Sequence, residues 1–192
     1  MAEERPSPIS GDSPGQIGPD GNPGRTIVVG LGNPVLGDDG VGWHVVDEVE
    51  RRMLAGRSAG EAPAARPRLD VTIERLGVGG LRLMEFLTGY ETAILIDAAE
   101  FPDRAIGEVR TCAFEDLPDH AAGHLDSAHD ASLRTALALG RKLGANLPSS
   151  IQAVTVQARS TDEFGEELSP EVAAAVSIAA DAVVALVEAG AE

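Results

Sequence analysis

The chain has 192 residues, with Lys+Arg 15 against Asp+Glu 31 and a formal net charge of −16. This acidity excludes a generic nucleic-acid binder, whose affinity rests on basic patches that neutralise phosphates. A hydrophobic share of 43% and 24% charged residues fit one ordinary globular domain, and aromatics at 3% mean a core built from Ala, Val, Leu and Ile.

Residues 1–25 hold five Pro and five Gly, with only Ile9 and Ile17 as large apolar side chains. Such a segment buries too little surface to offset its ordering entropy, so it is expected to be a disordered tail ahead of a domain spanning 26–192. Its start, MAEERPSPIS, lacks the basic and apolar regions of a signal peptide, and no apolar run approaches the ~18 residues of a membrane span. With Cys112 as the lone cysteine there is no internal disulfide, and the expectation is a cytoplasmic protein with no membrane association.

The β-branched run TIVVG at 26–30 predicts a buried strand. A glycine-rich loop follows, then a helix from 39 or 40 to 54, whose Val41, Val45, Val46 and Val49 form a core-facing stripe. Residues 56–67 read as a surface connector. A second strand is expected at 70–76, closed by GVGG at 77–80 and a short helix at 81–87. The segment ETAILID at 91–97 carries four apolar residues in a row, the mark of a central parallel strand covered on both faces. A further strand at 107–114 leads to a His- and Asp-containing loop at 116–127. A helix at 128–143, a strand at 151–158 and a terminal helix from about Ser169, with Pro170 at its first position, complete the chain. Strands alternating with helices imply a single α/β domain with a mostly parallel twisted sheet and helices on both faces.

Ligands of such sheets bind outside the carboxyl ends of the strands, and three groups of residues are expected there. GLGNPVLGDDGVG, residues 30–42, leaves the first strand with Asp38 and Asp39 side by side. Either acid can serve a site or cap the following helix. The loop fails the dinucleotide fingerprint because no third Gly falls at the required position. Asp97 ends the central strand, where it either joins Asp39 or caps a turn. Among the histidines, His44 lies on the first helix, while His120 and His124 precede His129 at a helix start. Each is either a surface residue or a ligand, and a helix N-terminus keeps the His129 imidazole neutral and fit for metal. Two carboxylates and an imidazole from three loops form an O/N set suited to a first-row divalent cation. Cys112 reads as a core residue. Ser127, Ser132 and Ser160 lack a G-x-S-x-G context. Asp162, Glu163, Glu166 and Glu167 read as a mobile polar loop.

The ordered set VVGLGNPVLGDDGVGWHVVDEV, GVGG, ILIDAA and a His opening a later helix resembles the hydrogenase maturation proteases from Thr26 to about Leu186. Those endopeptidases remove a C-terminal extension from the large subunit of nickel-iron hydrogenases. The resemblance implies a phosphorylase/hydrolase-like three-layer domain and an aspartic-type peptidase by family classification. It also implies Asp39 and Asp97 as catalytic acids, and Asp39, Asp97 and His129 as contacts to nickel already held by the precursor. Gly32, Asn33, Asp38, Gly40 and Gly42, with Gly79 and Gly80 of the second turn, match the supporting loops. Other divalent metals can occupy the same contacts, no organic cofactor is implied, and the expected partner is the large-subunit precursor, met by a monomer. Departures from the family pattern are the long N-terminal tail, the connector at 56–67 and ARSTDEFGEELSP before the last helix. The peptidyl-tRNA hydrolases share only GLGNP, without the R-H-N-x-G element that follows in that family, and the acidic charge disfavours tRNA. A non-catalytic metal-sensing assembly factor for the same precursor is the alternative of a different class, separated from a protease by whether precursor length changes.

Overall fold

The computed structural model describes residues 25–58, 70–117 and 132–190. Residues 1–24 of the expected tail at 1–25, most of the connector at 56–67, and His120, His124, Ser127 and His129 lie outside the described residues. Five strands, β1 (Thr26–Leu31), β2 (Val71–Leu76), β3 (Thr92–Ala99), β4 (Val109–Ala113) and β5 (Ser150–Gln157), form one sheet in the order β2-β1-β3-β5-β4. Every pairing is parallel except that of β4, which runs antiparallel to β5 at one edge.

Helix α1 (Val41–Ser58) connects β1 to β2, and α2 (Gly80–Leu87) carries the chain from β2 past β1 to β3. The strand order therefore reverses at β1, with the two crossover helices on opposite faces. Helix α4 (Pro170–Ala189) packs beside α1, and α3 (Leu133–Lys142) packs beside α2. Alternation along the strands sorts the core accordingly. Val28, Ile94, Ile96, Val154 and Val156 meet Val41, Val45, Val46 and Val49 of α1 and the Ala/Val face of α4. Ile27, Val29, Leu31, Leu95 and Ala153 meet Leu83 and Leu87 of α2 and Leu133 and Leu137 of α3. Complete burial of Ile94, Leu95 and Ile96 fits the apolar run read as a central strand.

Four features differ from expectation. A 3-10 turn at Gly37–Gly40 takes up the two acids, and α1 then runs on to Ser58 into the expected connector. Helix α3 starts at Leu133 rather than 128, because Ser132 has extended backbone and its side chain accepts a hydrogen bond from the Thr135 N–H. Cys112 is only half-buried, on the α2–α3 side of the sheet, and burial pushes its thiol pKa up. Finally, α4 is long and apolar enough to cross a membrane by length and composition, contrary to the expectation that no stretch is. About a third of that stretch is buried, with Val172, Ala175, Ala179, Ala180, Val183 and Val187 in the α1-side core, while Ile178 is exposed.

Candidate active site

The reversal of strand order at β1 marks the carboxyl ends of β1 and β3 as the place where doubly wound sheets bind their ligands. Gly30 pairs with Ile96, so Asp97 stands one residue further along β3, beside the point where β1 gives way to the glycine-rich loop. Asp97 is 1% exposed and Asp39 is 3% exposed. The 3-10 turn that carries Asp39 packs against β3. Both predicted acids thus lie buried at the same edge, delivered by neighbouring parallel strands.

The loop that holds Asp39 folds on itself. The Asn33 backbone N–H donates to Asp39 Oδ2 at 2.7 Å, and Asn33 Oδ1 accepts from the Val35 N–H at 3.2 Å. The Leu36 N–H adds a bond of 3.0 Å to the Asn33 carbonyl. Gly32 has a φ of +123°, and a Cβ there would lie 1.8 Å from the Asp39 carbonyl oxygen. Gly42 lets α1 press on the strand ends, since its Cβ would lie 2.2 Å from the Leu31 carbonyl oxygen and 2.7 Å from that of Ile96. Gly40 is close-packed against Pro34 in the same turn. In the second turn Gly79 occupies the N-cap position of α2, and Gly80 follows with a φ of +53°.

Asp38 faces away from its neighbour. Its carboxylate accepts the Arg159 N–H at 3.1 Å, the Ser169 N–H at 2.6 Å and the Ser169 hydroxyl at 2.9 Å. Asp38 is therefore a tertiary clamp rather than a cap of its own helix, and it occupies the hydroxyl of Ser169, which makes no side-chain cap on α4. Glu100 makes a parallel clamp, with Oε1 accepting from the Thr161 N–H at 2.9 Å and the Thr161 hydroxyl at 2.8 Å. The segment read as a mobile polar loop is consequently fixed to the edge of the site. Nothing in local spacing marks Ser169 or Glu100 as partners of the site loops, because those bonds join residues far apart in sequence.

The third predicted ligand, His129, lies outside the described residues, and His44 is exposed on α1. Among the described residues no group of three His, Cys, Asp or Glu side chains is placed to hold a metal ion. The edge itself supplies two buried carboxylates, suited to accepting a proton or contacting a cation.

Residues 43–186 match the hydrogenase maturation protease family. The hydrogenase expression/formation protein HupD of Rhodobacter capsulatus is 28% identical over 157 residues, covering 82% of this chain and 68% of its own. The nickel-iron hydrogenase maturation protease HybD of Thermococcus kodakarensis superposes with a TM-score of 0.58 at 26% identity, over 85% of this chain and 99% of that one. The hydrogenase maturating endopeptidase HybD of E. coli shares the fold, with a TM-score of 0.59 at 23% identity over 84% of this chain and 91% of that one. With a family match extending over most of its length and a sheet whose carboxyl edge carries the expected acids, this chain belongs to the hydrogenase maturation proteases and is a peptidase.

Proposed function

We propose that this peptidase removes the C-terminal extension of a nickel-iron hydrogenase large-subunit precursor after nickel insertion, with Asp39, Asp97 and His129 contacting the nickel that the substrate brings. The observation that carries this reading is the pair of buried carboxylates, Asp39 in the turn that follows β1 and Asp97 in the last residues of the adjacent parallel strand β3. In a low-dielectric cleft a carboxylate attracts a divalent cation far more strongly than in water. Two carboxylates and one imidazole match the ligand preferences of a first-row metal. A precursor without nickel lacks that attraction, so cutting waits for metal insertion.

For the cleavage, one carboxylate of the pair takes a proton from the attacking water as the oxygen adds to the scissile carbonyl carbon. The C–N bond then breaks, and the proton passes to the departing amine. Proximity of the bound nickel to that carbonyl supplies electrophilic assistance. The two neighbouring acids of the first loop do not form a proton-sharing dyad of the pepsin kind, since Asp38 is committed to Ser169 and Arg159. The proposal places the reaction in the cytoplasm, with the precursor as partner and the protein acting as a monomer.

The test is intact-mass analysis of the nickel-loaded precursor after incubation with wild type, Asp39→Asn, Asp97→Asn and His129→Ala. Loss of about 100-fold or more in cleavage rate is expected for each carboxamide, the scale of removing a general base. Variants that fold normally and cut at the wild-type rate contradict the assignment.

A further inference from the structure

The segment 159–169 is anchored along its length. Asp38 holds both ends, Glu100 holds Thr161, and Gly165 pairs with the site loop through Gly37 N–H to Gly165 carbonyl at 2.6 Å and Gly165 N–H to Val35 carbonyl at 3.1 Å. On this fixed backbone Phe164 is 90% exposed, and Val35, on the stretch it pairs beside, is 48% exposed. Core formation does not account for an aromatic so placed in a chain with only 4 Phe, 1 Trp and 1 Tyr. Apolar groups displayed on an ordered backbone lose little further entropy on binding, and aromatic anchors dominate interface energetics.

Charge decides what covers this rim. Asp162, Glu163, Glu166 and Glu167 flank Phe164, all exposed, with no Lys or Arg from 160 to 169. A second copy of the chain would bring the same carboxylates and a net charge of −16, so like charges oppose self-association. Val35 belongs to the same loop as Asp39, so a chain seated on the rim lies against the loop that carries the site acid. We propose that the Val35–Phe164 rim is the docking surface for the client precursor, and that it takes a segment with an apolar side chain flanked by Lys or Arg. This rests on the reading of the precursor as substrate.

The experiment uses the full-length protein and nickel-loaded precursor, measuring Kd, KM and kcat for three forms: wild type, Phe164→Ser, and the combined Glu163→Gln, Glu166→Gln and Glu167→Gln variant. Phe164→Ser is expected to raise Kd and KM about tenfold with kcat at saturation retained, as for loss of an interface anchor. The combined variant is expected to weaken binding at low salt and flatten its salt dependence. Unchanged Kd and KM in both variants, with the wild type still cutting, overturns the docking inference and leaves the proposed function standing. Binding that Phe164→Ser abolishes, without any cleavage by wild type, supports the docking surface and overturns the proposed function. Neither binding nor cleavage by wild type overturns both. A wild-type dimer dissolved by Phe164→Ser, with precursor affinity unchanged, assigns the rim to a second copy and overturns the inference.

Discussion

Asp38 at the edge of the sheet is 5% exposed and accepts three hydrogen bonds from residues 121 and 131 positions away, whereas Glu48 on α1 pairs with Arg51 and Arg52 of its own helix. Both are engaged carboxylates, yet they do different things. At the buried edge, losing a partner leaves polar groups stranded away from water, so the bonds dictate where loops lie. On the helical face, water replaces a lost partner at little cost. Even Arg52, which reaches from Glu48 across to Asp181 and Ser177 on α4, joins two helices already held by a shared apolar core.

Substitutions at the edge are therefore expected to have far larger effects than those on the helical face. The largest is Gly42→Ala, because the new Cβ meets two backbone carbonyl oxygens that cannot turn aside. A loss of about 3 kcal/mol is expected from overpacking, read as a midpoint shift in urea unfolding. Next comes Asp38→Ala, which strands the Ser169 and Arg159 donors and is expected to cost about 2–3 kcal/mol, with Asp38→Asn milder. Limited proteolysis sharpens this prediction: cleavage within 160–168 should accelerate in Asp38→Ala before the rest of the domain becomes susceptible. Equal protection in the variant and the wild type would break the idea of a clamp.

Arg52→Ala should cost about 0.5 kcal/mol, since Asp181 is exposed and Glu48 keeps its pairing with Arg51. A loss as large as that at Asp38 would erase the contrast. The smallest expected effect is in acid. Hydrogen bonds from Arg51 and then Arg52 lower the Glu48 pKa from 4.5 to about 2. A depressed carboxylate stabilises the fold above its unfolded value and loses that contribution as pH falls from about 4.5 through about 2. Glu48→Gln should lack this small contribution at neutral pH and match the wild type once pH falls through about 2, so acid titration of the two proteins will show a small stability gap that closes in acid.

The same contrast explains what could be read from the residues alone. Core strands announce themselves because burial on both faces demands unbroken apolar runs, as in residues 93–96, and α1 because its valines recur at helical spacing. The placement of Asp39 and Asp97 at one edge of the sheet was legible once strand order was assumed, since one lies in the loop leaving a buried strand and the other in the last residues of its neighbour. What remained hidden depends on long-range pairing. Capping and clamping by Asp38 look identical in sequence, and the acidic run around Phe164 reads as a mobile loop until Asp38, Glu100 and Gly165 are seen to fix it. The antiparallel direction of β4 and the start of α3 at Leu133, after the Ser132 cap, likewise follow from pairing and a local cap rather than from periodicity.

The central claim is that nickel in the precursor, presented to the buried carboxylates of the sheet edge, licenses the cut. Its most direct test is intact-mass measurement of matched nickel-loaded and nickel-free large-subunit precursor, each incubated with the wild-type protein. The account predicts loss of a C-terminal peptide from the loaded precursor alone. Equal cleavage of both forms, or cleavage of neither, would contradict it.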